Sequence, residues 1–249
     1  MPANYTHDLM EMMFFKRATA VGQITFTADT YWTVPVGVTN ICAVTVGASV
    51  TRVTGSVTLC NSIGFYGAEV FVGSGGNGGA SGSISSGVQP GGGGAGGYTG
   101  HGGAGGNSGS SGSSGSGGGG GGGSSRGGAD ATGLSGYPGG GVGLLGQGSS
   151  GAGGTYAFTD GGYRSAGLGG GGSGGGVGAL PGNSYSVTAG GSYGGGKSSL
   201  AGRSLRYVNS ITVTPGEQLY VQMDVNGSNP AARILWGGGR SFPSNAGDM

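Results

Sequence analysis

GGGGAGGYTGHGGAGG at residues 91–106 and the unbroken run Gly117–Gly123 belong to a stretch that fills about half of the chain. From Gly73 to about Gly196 glycine and serine dominate, Gly169–Gly172 forms a further run, and almost no aliphatic residue is available for an ordinary core. What this stretch does decides the fold. Proline is rare in it and no strict third-residue repeat runs through it, which excludes a collagen triple helix. A Gly/Ser-rich chain defaults to a flexible coil, because glycine has the most backbone freedom to lose and no side chain whose burial compensates. One ordered state does suit it. A polyproline II helix turns once in three residues and makes no internal hydrogen bonds, so helices lying side by side can bond to one another. Any Cβ at the contact would force the backbones apart, so interior positions must be glycine. Each interchain bond contributes about 0.5–1.5 kcal/mol net against about 1–2 kcal/mol of backbone entropy per residue. That margin is thin, and a framing β-sheet is needed to fix the ends.

Such a frame is legible on both sides of the stretch. Ile24 and Phe26 alternate with Thr25 and Thr27, a half-buried strand pattern. Tyr31 to Val34 is β-prone and stopped by Pro35, with Gly37 completing a turn. Ile41 to Val46, Val50 to Cys60 and Glu69 to Val72 continue the alternation, punctuated by Gly47, Gly55 and Gly64. Beyond the glycine stretch, Ile211 and Val213, then Leu219, Val221, Met223 and Val225, alternate on either side of Pro215-Gly216. Proline followed by glycine suits the centre of a type II turn, so a hairpin is expected there. Ala232 to Trp236 reads as one more strand, and Gly237 to Met249 as a loop-like tail. The expected fold is all-β: framing strands in a small antiparallel sheet or sandwich around a packed polyglycine II core. The expected layout is an apolar leader over 1–21, strands over 22–72, the glycine-rich region with its loops over 73–204, and a hairpin, strand and tail over 205–249.

Composition excludes several functions. Glycine makes up 71 of the 249 residues, against an ordinary usage of about 7 %. A net charge of +1 leaves no basic patch for nucleic acid, and no apolar run approaches the roughly 18 residues of a membrane helix. Asp8 and Glu11 interrupt the apolar leader, and Lys16 and Arg17 follow it, unlike a secretion signal; synthesis in a cytoplasm is expected. Cys42 and Cys60 form no metal-like cluster and are read as buried thiols, a bridge between them requiring adjacent strands to bring them together. His7 and His101 are the only histidines, neither beside a Cys or carboxylate cluster, so no metal site, cofactor or enzymatic activity is expected. Gly191-Ser192-Tyr193-Gly194-Gly195-Gly196-Lys197-Ser198 matches the phosphate-binding loop pattern literally. It lacks the buried strand before it and the helix after it, and a chain this rich in glycine fills most of the pattern by chance.

Two features remain as candidate interaction sites. The leader crowds Leu9, Met12, Met13, Phe14 and Phe15 into a short window. Exposed, such a cluster is an aggregation hazard, so it is expected to dock on a partner chain or to fold onto the chain's own strands. Between the glycine runs lie islands bearing Tyr98, His101, Tyr137, Tyr156, Phe158, Asp160, Tyr163 and Arg164. Tyrosine and arginine are favoured in binding surfaces for their contact area and polar handles. The alternative is that these rings cover the edges of the glycine core.

The opening Ile24-Thr25-Phe26-Thr27 and Trp32 to Thr39, the turn segment Ile211 to Glu217, and above all Ala232 to Ser244 resemble the glycine-rich domains at the ends of phage tail fibres. Together these bracket about residues 23 to 244. In that family the glycine follows the second or third strand, whereas here about residues 47–68 intervene. The resemblance to the fibre-tip adhesins of T-even-like phages implies a polyglycine core, with loops at its far end contacting a protein or glycan on the host cell surface. It also implies a place in the virion beside other tail-fibre proteins. The rival expectation is a purely architectural virion protein, a fibre cap or capsid decoration, with the leader as its interface.

Overall fold

β-Branched and aromatic residues build most of the longer strands of the protein. It is seen in a computed structural model that describes residues 21–55, 57–63, 76, 79–82, 88–107, 110–121, 125–126, 137–154, 157–158, 175, 190–197, 200–224 and 229–248. Among these, eleven strands and no helix are found: β1 (Gly22–Phe26), β2 (Thr30–Thr33), β3 (Asn40–Val46), β4 (Ala48–Arg52), β5 (Thr58–Asn61), β6 (Val88–Gln89), β7 (Ser125–Arg126), β8 (Ala157–Phe158), β9 (Leu205–Thr212), β10 (Gln218–Met223) and β11 (Ala231–Trp236). Of the expected sheet or sandwich, the structure has two antiparallel four-stranded sheets, ordered β1-β11-β3-β9 and β2-β10-β4-β5. The expected strand at Glu69 to Val72 lies outside the described residues. The intervening residues 47–68 include β4 and β5, which complete the second sheet.

Between the two sheets lies a core of Phe26, Trp32, Ile41, Val50, Leu219, Val221 and Ile234 with their neighbours. In the second sheet β2 and β10 alternate, as in β10, where Leu219, Val221 and Met223 are buried and the residues between them are less so, while β4 and β5 each bury three residues in a row. The first sheet differs. β3 and β11 are buried along almost their whole length, because a second cluster covers the other face. Cys42, Val44, Val46, Leu205 and Leu235 there meet Ala95, Tyr98, Val142 and Leu144 from the glycine-rich stretch and Phe242 and Ala246 from the tail.

The hairpin expected at Pro215-Gly216 is corrected by this arrangement. The turn is present, with Glu217 N donating to the Thr214 carbonyl at 3.0 Å and Gly216 at φ +86°. The strands that it joins do not pair: β9 lies in the first sheet and β10 in the second. Ile211 and Val213 on one side and Leu219, Val221 and Met223 on the other face the same core from opposite layers, so shared burial and not cross-strand bonding brought them together. Nothing lies within 4 Å of a Cβ added at Gly216, which leaves only the backbone cost of the left-handed conformation. Gly216→Ala is therefore expected to lower stability by about 1–2 kcal/mol, read as the shift of a urea midpoint at unchanged slope. Gly216→Asn, whose side chain tolerates that region, should lose less.

Beyond the sheets the glycine-rich segments bond to one another through their backbones. Residues 91–97 form the centre. The amides of Gly91, Gly94 and Gly97 donate to Gly106, Gly103 and Gly100, those of Gly92 and Ala95 to Tyr137 and Gly140, and those of Gly93 and Gly96 to Leu200 and Arg203. Every third amide thus returns to the same neighbour. Carbonyls of this segment also accept from Gly76, Gly79 and Gly82, from Gly119 and from Gly196, so six other segments surround it. Each N–H from 91 to 97 has a partner, as buried backbone requires. Side chains appear where a segment faces outward: His101, Ala104 and Asn107 are exposed at third-residue spacing, while Gly103, Gly105 and Gly106 are buried.

Candidate interaction site at the far end of the glycine-rich segments

The direction of these segments fixes where the loops between them emerge. Residues 200–203 lead directly into β9, and the central segment runs parallel to them, pairing Gly93 with Leu200 and Gly96 with Arg203. Tyr98 therefore reaches the first sheet, and Pro90 is carried away from it. The same distant level holds Gly82 and Gly106, bonded through Gly91, and Gly121 and Gly154, bonded to each other. Just beyond that level the chain forms a third, small sheet ordered β6-β7-β8. Val88 and Gln89 pair antiparallel with Arg126 and Ser125, which pair parallel with Phe158 and Ala157. Three separate connections are thereby gathered at one end. β1 begins at the other: Gly22 lies opposite Trp236, at the end of β11 that points away from the glycine segments, whereas Ala231 at its start is paired with Val46 beside them.

The candidate residues divide between the two levels. Phe158 lies in β8, in register with Arg126. Tyr137 stands at the same distant level, its carbonyl accepting from Gly92, but its side chain is buried, with 9 % exposure. Tyr98 and His101 are at the level of the first sheet, apart from them. Tyr98 is 2 % exposed; its ring stacks on Phe242 at 5.9 Å and tilts against Tyr207 at 5.7 Å, and its hydroxyl donates to the Gly143 carbonyl and accepts from the Gly146 amide. Burial pushes the Tyr98 phenol well above its usual range. The expectation of a receptor contact at Tyr98 therefore gives way to a packing role, the alternative weighed for all these rings. His101 is exposed on the outer ridge. Tyr156, Asp160, Tyr163 and Arg164, and the leader residues Leu9, Met12, Met13, Phe14 and Phe15, lie outside the described residues.

Other chemistry is constrained by what the backbone is already doing. In the phosphate-loop-like stretch the amides of Gly191, Tyr193, Gly194, Gly195 and Gly196 donate to the carbonyls of Gly139, Val142, Asn229, Gly191 and Gly93. These five are already engaged and not free to cradle a phosphate. Among the described residues no group of three or more His, Cys, Asp or Glu is placed to hold a metal ion, and no helix is long and apolar enough to cross a membrane. Both cysteines are free and buried. Cys60 sits in the core between the sheets, its thiol 3.4 Å from the Thr45 hydroxyl and donating to the Arg206 carbonyl. Burial pushes it up to about 12. Cys42 faces the opposite side of the first sheet, toward the tail, so the two cannot bridge without rebuilding that sheet.

Searches of protein-family models, of curated proteins and of solved structures found no match to this chain.

Proposed function

We propose that this chain is a tail-fibre tip adhesin of a virion, in which a polyglycine II core holds recognition loops away from a β-sandwich and presents them to a protein or glycan on the host cell surface. The observation that carries the proposal is polarity: β6, β7 and β8 gather three connections at one end, and β1 starts at the opposite end. A display protein needs that separation, because one end must be held while the other searches. The leader with Leu9, Met12, Met13, Phe14 and Phe15 is in this reading the attachment to other fibre proteins.

Support for the polyglycine II core comes from the order of hydrogen bonds. In a helix of three residues per turn, successive amides point in three directions and repeat. The donors of residues 91–97 follow that rotation through three neighbours. At about 3.1 Å per residue, the segment from Pro90 to Gly97 sets the loops about 25 Å from the sandwich. Such a core is stiff where a Gly/Ser linker would be a coil, and rigid presentation lowers the entropy lost on binding.

The recognition residues in this reading are Tyr156, Phe158, Asp160, Tyr163 and Arg164, while Tyr137 is buried at the distant level and His101 lies at the opposite level. Replacing Tyr156, Phe158 and Tyr163 together by alanine should reduce adsorption of assembled particles tens-fold or more, since anchors of this kind are worth about 2 kcal/mol or more each. Particle assembly should be unaffected. Unchanged adsorption would remove these loops from the site, and antibody labelling that located the chain on the capsid would favour an architectural role instead.

A further inference from the structure

The tail that follows β11 does not leave the molecule. Its described part turns back across the first sheet and places Phe242 and Ala246 between that sheet and the glycine-rich segments. On the sheet side it is tied at several points: the Asn209 side chain donates to the Phe242 carbonyl at 2.7 Å and accepts from the Phe242 amide at 3.0 Å, Cys42 donates to the Arg240 carbonyl, and Gln23 donates to Asp248 at 2.9 Å. Ser241 and Asn245 exchange backbone hydrogen bonds and close the tail into a turn of its own. Its contacts with the other side are fewer. Gln147 N donates to the Pro243 carbonyl at 2.8 Å, and Phe242, 3 % exposed, places its ring against Tyr98. Ala246, 1 % exposed, completes the cluster with Val142 and Leu144.

We propose that this tail is a strap: held to the sandwich, it fastens the near end of the glycine-rich segments, which can open and close against a sandwich that stays folded. Two features of the fold lead there. The sandwich has a core of its own, to which no described residue of the glycine-rich segments contributes. Among the described residues of those segments, Ala95, Tyr98, Val142 and Leu144 are buried in the cluster that the strap closes. Their other ties to the sandwich include the Tyr98–Tyr207 ring contact and polar bonds: Leu205 N to the Gly76 carbonyl, Gly194 N to the Asn229 carbonyl, Arg233 to the Leu144 carbonyl, and the Arg203–Asp224 ion pair at 2.8 Å. Regions held by few apolar contacts open at lower free energy than the global fold. The strap adds Phe242 and Ala246 to the apolar cluster at that contact.

The test is hydrogen exchange of the full-length protein carrying Asn209→Ala and Phe242→Ala, which loosen the strap where it meets Tyr98 without altering a glycine segment. Amides 94–97 and 139–142 should exchange at least tenfold faster than in the wild type, with those of β4 and β10 unchanged. A milder variant, Phe242→Leu, should show the same selective pattern at smaller amplitude. Equal loss of protection in sandwich and glycine-rich segments, in either variant, would mean one cooperative unit and no strap. Unchanged protection at 94–97 and 139–142 would likewise overturn the proposal.

Discussion

Gly94→Ala is expected to cost about 2–5 kcal/mol and to unseat the glycine-rich segments, although it adds a single methyl group. A Cβ at Gly94 would stand under 3.0 Å from the carbonyl of Gly119 and the backbone of Gly120, and neither is a flexible side chain that could swing aside. Overpacking of this kind costs about 1–3 kcal/mol. Displacing the segment also threatens the bond from Gly94 N to Gly103 O and that from Gly79 N to Gly94 O, both 2.8 Å, at about 0.5–1.5 kcal/mol each. Against this stands a gain of about 0.4–1 kcal/mol, because alanine stiffens the unfolded chain. The clash wins. The neighbouring residue shows why the effect belongs to the position: Ala95 points its methyl into the cluster around Val46 and Leu205 and is fully buried there. Gly247→Ala is the control, since nothing lies within 4 Å of its added Cβ. Urea denaturation with hydrogen exchange checks the pair. Equal stability of the two variants would show that the segments tolerate side chains at their contacts and would remove the basis for a packed polyglycine core.

The sequence carried the frame better than the interior. Strands β1, β2, β3 and β11 are visible in Ile24–Phe26, Tyr31–Thr33, Ile41–Val46 and Ala232–Trp236 because branched and aromatic residues there end at turn glycines, and Gly37, Gly47 and Gly55 do adopt positive φ. Which strands pair was not legible. Alternation reports that one face is buried, but Ile211 and Leu219 bury against each other from opposite sheets, and no local signal distinguishes that from a hairpin. The near-continuous burial of β3 and β11 could have suggested a layer covered on both faces; the sequence shows it as Ile41 to Val46 with one threonine. Strands of two residues, such as β6, β7 and β8, have no periodicity to detect, so their meeting at one end followed only from the tertiary register. Tyr98 illustrates the ambiguity of an aromatic ring among glycines. A display residue and a seal read identically until Tyr207 and Phe242 are seen around it.

Removing the guanidinium of Arg233 should be the most damaging single change in the sandwich. Its side chain is 1 % exposed and donates to the carbonyls of Leu144, Ala246 and Gly247, to Gln23 Oε1 at 2.6 Å and to Asp248 Oδ1 at 3.0 Å. One residue of β11 thus ties together β1, the glycine-rich stretch at Leu144 and the tail. Desolvation on burial lowers its pKa, while Asp248 raises it; arginine remains charged regardless. The question is which contact matters. The carboxylate of Asp248 is 64 % exposed, so that ion pair is screened by solvent and worth at most about 1 kcal/mol. The carbonyls of Leu144 and Ala246 belong to residues only 4 % and 1 % exposed, and an orphaned buried acceptor costs about 1–3 kcal/mol. Arg233→Met fills the volume but strands both, for an expected loss of about 3–5 kcal/mol. Arg233→Lys should recover little, because an ammonium cannot reproduce the planar fork that serves several acceptors at once. Asp248→Asn should cost less than 1 kcal/mol. Chemical denaturation of the three variants separates the accounts: a loss in Asp248→Asn matching that of Arg233→Met would put the weight on the ion pair, and a mild Arg233→Lys would show that charge alone, without the fork, holds the three layers together.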